Sequence, residues 1–176
     1  MKEKQKKGEA RFYFSKSQKD NPAKSIPAGY EIYENPNGQV FLRKIPPKIV
    51  TDEEMTLVRE GVKKYAKLEH YMVDVKKNSI VVYLPDRNPD SVIEDFSEFP
   101  FFDRSKLKDF FISHANYSPV LQFVMIDEKE REFRVNRWCW LGFIDNWIYL
   151  ESSSDLPRLI KKYCFHLGKD SFFELI

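Results

Sequence analysis

An α+β fold, with antiparallel sheets and helices packed on sheet faces, is what this 176-residue sequence predicts. Three observations lead there. An Asn-Gly hairpin lies near the start, a strongly capped amphipathic helix follows it, and an apolar strand meander fills the last third.

Residues 1–9 read as a disordered basic arm, and Arg11–Ser15 as a short first strand. Tyr30–Glu34 alternates, Asn35-Pro36-Asn37-Gly38 turns the chain, and Gln39–Arg43 returns it, which is the strongest short-range hairpin signal. Thr51 with Glu54 three residues later makes a capping box. The stripe Met55, Val58, Val62, Tyr65 and Leu68 carries a helix to about His70. A second hairpin takes Tyr71–Val75 and Ser79–Leu84 around Lys76-Lys77-Asn78. Two short helices are expected around Ser91–Phe96 and Ser105–His114, divided by the phenylalanines at 99, 101 and 102. Val120–Ile126 and Glu132–Trp140 then pair across an acidic turn, and a turn at Asp145-Asn146 leads to Trp147–Leu150. Ser152–Asp155 before Leu156-Pro157 starts a helix that runs to about His166, Gly168 stops it, and a last short helix spans 170–175.

The expected organisation is therefore an arm (1–9), a hairpin-helix-hairpin lobe (10–85), a helical connection (86–117) and a C-terminal meander with helices (118–176). Together they make one compact domain of two lobes. Whether the lobes share one sheet is left open. A hydrophobic fraction of 42%, with charges of both signs mixed, suits a globular chain of this size. Net charge is +2, but residues 1–24 carry eight Lys/Arg against three Asp/Glu, a net of +5 that leaves −3 on the rest. A basic arm of this kind tethers, solubilises or contacts phosphate. No secretory signal or membrane-spanning run occurs, so two reduced cysteines and a cytoplasmic location are expected. The sequence sets no oligomeric state.

All three tryptophans lie between Arg137 and Tyr149. Period-two alternation puts Phe133, Val135, Arg137 and Cys139 on one strand face, and Arg134, Asn136, Trp138 and Trp140 on the other, where Trp147 and Tyr149 can join them. If the first face is core, Arg137 needs a carboxylate partner, with Asp145 first and Glu151 second. Arg134, Arg137, Trp138, Trp140, Trp147 and Tyr149 are the candidate binding residues, since rings beside guanidinium groups stack against single-stranded nucleic acid or a sugar. A face followed directly by an apolar helix is usually covered by it, so Leu159, Tyr163, Phe172 and Phe173 are expected over those rings.

Cys139, Cys164, His166 and His114 match no zinc spacing, and a Cys139–His166 nucleophile and base pair has no further support. His70, His114 and His166 each stand where an imidazolium suits a helix C-terminus. No Gly-rich phosphate loop, nucleophile elbow or helical His pair occurs, so no cofactor, resident metal or catalytic set is implied.

Two short resemblances exist. Pro85-Asp86 after a strand, with Asp127-Glu128-Lys129 some forty residues on, resembles the motif of restriction-type nucleases. The resemblance implies Asp86 and Asp127 as metal ligands and Lys129 as the water-orienting group, although Asp127–Lys129 reads as a hairpin turn here. Pro27-Ala28-Gly29-Tyr30-Glu31 with Gly38–Phe41 resembles the opening of a WW module, with Tyr30 at the Trp position and no third strand. The expectation is a non-catalytic interaction module that presents a sheet face or the 86–117 connection to a protein partner. The alternative is nucleic-acid binding through the basic arm and the Trp/Arg face, with nuclease activity as a minor branch.

Overall fold

The computed structural model describes residues 25–95, 103–140 and 145–176, so the expected strand at 11–15 and the phenylalanine cluster lie outside the described residues. The chain divides into two compact units, 1–46 and 47–176.

The first unit holds the hairpin of β1 (Tyr30–Glu34) and β2 (Val40–Lys44), paired antiparallel from Tyr30↔Lys44 to Glu34↔Val40. The Asn35 side-chain oxygen accepts from the Asn37 and Gln39 amides at 3.0 and 2.9 Å, and Gly38 takes the positive φ the turn requires. Arg43 lies 3.6 Å from the Tyr33 ring centre and bonds Glu31 at 2.8 Å, so one side chain ties both strands.

In the second unit, α1 (Asp52–Gly61) continues into a π-helical turn, Val62–Ala66. The capping box is formed: Glu54 N donates to Thr51 Oγ1 and Thr51 N to the Glu54 carboxylate. The same carboxylate receives Arg131 from the turn just before Glu132, its Nε at 2.9 Å, 77 residues away in sequence. Lys67, at φ 56°, ends the helix earlier than the expected His70. The apolar stripe runs past that point because Leu68 still packs on the core after the backbone has left the helix.

Five strands form one antiparallel sheet: β3 (Met72–Lys76), β4 (Ser79–Pro85), β5 (Tyr117–Asp127), β6 (Glu132–Trp140) and β7 (Asp145–Ser153), in that order. The second hairpin therefore belongs to the meander's sheet, because β4 pairs with β5 across the helical connection at 86–117. The Asn78 side chain adds a bond to the Met125 carbonyl at 2.8 Å. Strand β5 begins at Tyr117 rather than Val120, and it accommodates Pro119 at a register shift opposite Val82/Tyr83. Asp145 and Asn146 are not a turn. They pair with Trp140 and Cys139, which moves the connection into 141–144, outside the described residues.

Helices α2 (Pro89–Asp95) and α3 (Arg104–Ser113, capped by Asp103) lie between β4 and β5. Helix α4 (Leu156–Cys164) starts at an Asp155 cap with Pro157 in its first turn. A single 3-10 turn, Asp170–Phe172, replaces the expected last helix. The core joins Val58 of α1, Val62 of the π-helical turn and Leu159, Ile160 and Tyr163 of α4 to Ile80, Leu121, Phe123, Phe133 and Val135. Both helices thus cover the same sheet face, and they meet closely enough that a Cβ on Gly61 would lie 2.0 Å from Ile160 Cγ2. The fold is α+β with antiparallel sheets, as the sequence predicts.

Candidate functional site

Strand β6 alternates as expected. Phe133, Val135, Arg137 and Cys139 are buried on the helix-covered face, opposite Met125, Phe123 and Leu121 of β5 for the first three. The other face takes Arg134, Asn136, Trp138 and Trp140, and β7 adds Tyr149 opposite Asn136 and Trp147 opposite Trp138. The structure thus brings Arg134, Trp138, Trp140, Trp147 and Tyr149 together and turns Arg137 away from them.

The Trp138 and Trp147 rings meet edge to face, 5.1 Å between centres and 81° apart. Trp147 also packs on a small cluster of Val81, Tyr83 and Tyr117. Beside this half-buried pair, Trp140 and Tyr149 remain 46% and 56% exposed. The Arg134 guanidinium lies 5.9 Å from the Tyr149 ring centre. The aromatic face therefore continues from Trp147 of β7 into a buried cluster that reaches Val81 and Tyr83 of β4, a continuation that the sequence reading missed. Its signal was the alternation of Val81 and Tyr83 with Ile80 and Val82. The Tyr83 hydroxyl is buried with no partner among the described residues, and burial raises its pKa well above the usual phenol value.

The expectation that the last helix covers these rings is overturned. Leu159, Tyr163 and Phe172 pack with Phe133 and Val135 on the opposite face. The apolar stripe of α4 docks against α1 as well as the sheet, so it must take the face that α1 already occupies.

The carboxylate pairing expected for Arg137 is also overturned. Its Nε donates to the Leu175 carbonyl at 2.6 Å and its Nη2 to the Phe173 carbonyl at 3.2 Å. Asp145 projects on the aromatic face, opposite Trp140. Glu151 is taken by α4, accepting from Arg158 at 2.5 Å, Lys162 at 2.7 Å and the Tyr163 hydroxyl at 2.8 Å. Those three donors, Lys162 first, hold its carboxyl down at about 2.

The nuclease-like residues are not brought together. Asp86 follows β4 and bonds Asn116 just before β5, whereas Asp127 closes β5 at its far end. The length of β5 puts roughly 30 Å between them at ~3.3 Å per residue. Asp86 accepts from the Ser118 hydroxyl at 2.6 Å. It lines a cleft of about 240 Å³ with Arg87 and His114. Asp127 accepts the Lys129 and Glu130 amides, a turn-forming role.

Cys139 and Cys164 are free and buried, and burial pushes the Cys164 thiol up to about 12. Neither joins the thiol and histidine set considered from sequence: among the described residues, none of Cys139, Cys164, His114 and His166 belongs to a cluster of three potential metal ligands. His114 caps α3, its Nδ1 lying 2.9 Å from the Phe110 carbonyl. No described helix is long and apolar enough to cross a membrane. No family model, curated protein or solved structure matches the chain.

Proposed function

We propose that this chain is a non-catalytic binding module whose working surface is the β6–β7 aromatic face and whose partner is a protein. One observation carries the reading: Trp140 and Tyr149 stand exposed beside the Trp138–Trp147 pair, on the sheet face opposite α1 and α4. A contiguous patch of large rings, unlike a single exposed apolar side chain, is the kind of surface that marks an interaction site. Trp, Tyr and Arg are also the residues on which protein interfaces concentrate their energy.

Charge favours protein over nucleic acid. Residues 25–176 carry a net of −3, and Asp145 shares the face with Arg134, so phosphates meet no continuous basic track. The nucleic-acid alternative rests on the basic arm, a net of +5 over residues 1–24, together with the Arg134–Tyr149 contact, which would suit a stacked base.

Affinity capture from the source cell's extract tests both, with the full chain, a Trp140→Ala/Tyr149→Ala variant and a Leu57→Ala control. The expected outcome is a protein held by the full chain and the control at high salt and lost with the double variant. Capture that is unchanged in the double variant rejects the face. Salt-sensitive retention of single-stranded DNA that the double variant loses replaces the protein reading with the nucleic-acid one.

A further inference from the structure

We propose that Glu69, His70 and Asp90 form a zinc-type divalent metal site for which Lys108 is a built-in competitor. Glu69 and His70 lie between the π-helical turn and β3, Asp90 sits in the first turn of α2, and Lys108 reaches in from α3. One atom from each of Glu69, His70 and Asp90 lies within 4.8 Å of the other two. Neighbouring ligands on tetrahedral zinc stand about 3.4 Å apart, so modest side-chain rotation closes the set.

Two observations go beyond proximity. The His70 Nε2 is buried and has no hydrogen-bond partner among the described residues. It faces the Asp90 carboxylate at 3.9 Å, beyond hydrogen-bond reach. Meanwhile the Lys108 ammonium stands 2.7 Å from Asp90 and 3.5 Å from Glu69, where both carboxylates direct their charge. It satisfies the two acids and leaves the imidazole nitrogen orphaned. A metal ion in that position engages all three groups.

The donor set selects the ion. One imidazole with two carboxylates suits zinc and its first-row neighbours, whereas magnesium and calcium favour all-oxygen shells. The carboxylates' two negative charges balance a divalent ion only once the ammonium has left. Lys108 is 35% exposed, on a flexible stem that can swing into water. Glu69 is 74% exposed, which leaves the outer side open to a water ligand. This site is independent of the aromatic-face reading.

Calorimetric titration of the metal-free full chain with zinc tests the proposal, alongside Lys108→Met, His70→Gln and His166→Gln variants. Circular dichroism checks that each variant is folded. The expected result is one zinc per chain, bound at least tenfold tighter by Lys108→Met and tenfold weaker by His70→Gln, with His166→Gln unchanged. Zinc binding indifferent to His70→Gln, failure of Lys108→Met to tighten it, or no binding by either the full chain or Lys108→Met overturns the assignment.

Discussion

Arg137 Nε donates to the backbone carbonyl of Leu175 at 2.6 Å, so the segment Phe173–Leu175 closes over a guanidinium that β6 carries into the core. Arg137 is 7% exposed beside Leu121, and a permanent charge there is tolerable only while acceptors face it. The carbonyls of Phe173 and Leu175 supply them without a counter-charge. Deleting residues 173–176 should therefore cost about 3 kcal/mol in urea unfolding, since it strands a buried cation. In an Arg137→Met background the same deletion should cost clearly less, because only the packing of Leu175 is lost. Additive losses in this double-mutant cycle would show that the carbonyl bonds contribute nothing.

The crossing of α1 and α4 at Gly61 gives a second prediction. A Cβ at that position would fall 2.0 Å from Ile160 Cγ2, an atom fixed to a branched Cβ that cannot swing aside. Gly61→Ala gains helix propensity of ~1 kcal/mol, but overpacking of this kind costs about 1–3 kcal/mol or more, so net destabilisation is expected. Ile160→Ala removes Cγ2 and opens the space. Thermal unfolding of the double variant should show a smaller loss than the two single losses combined.

What the sequence made legible was chemistry closed within a few residues. Asn35–Gly38 specifies its hairpin and Thr51 with Glu54 specifies a helix start, because each set bonds its own backbone. The second partner of Glu54 was not legible, since Arg131 arrives from 77 residues away. Alternation along β6 sorted its side chains onto the correct faces but could not say which face a helix takes. That depends on the Gly61–Ile160 crossing, a contact between distant segments. The partners of Arg137 were hidden for another reason: every residue carries a carbonyl, so composition cannot single out Phe173 and Leu175. Asp145-Asn146 has turn-like composition, yet the β6–β7 pairing extends through both residues.

The third prediction concerns acid. Glu151 on β7 receives Lys162, Arg158 and the Tyr163 hydroxyl of α4, and these donors lower its carboxyl from the ordinary 4.5 to about 2. A carboxyl depressed in the folded state binds protons more weakly there than in the unfolded chain, so ionisation favours folding. This contribution is fully present above about pH 5 and is lost as pH falls from 4.5 through the folded value near 2. Solvent reaches the pair, with Arg158 46% and Lys162 52% exposed, which limits the contribution to about 1 kcal/mol. Glu151→Gln keeps the size of the side chain and removes the titration. The stability difference between the full chain and Glu151→Gln, measured by urea unfolding, should be flat from pH 7 to 5 and shrink steadily between pH 4.5 and 2.5. A difference that stays constant across that range would mean that the β7–α4 charge cluster does not couple to folding.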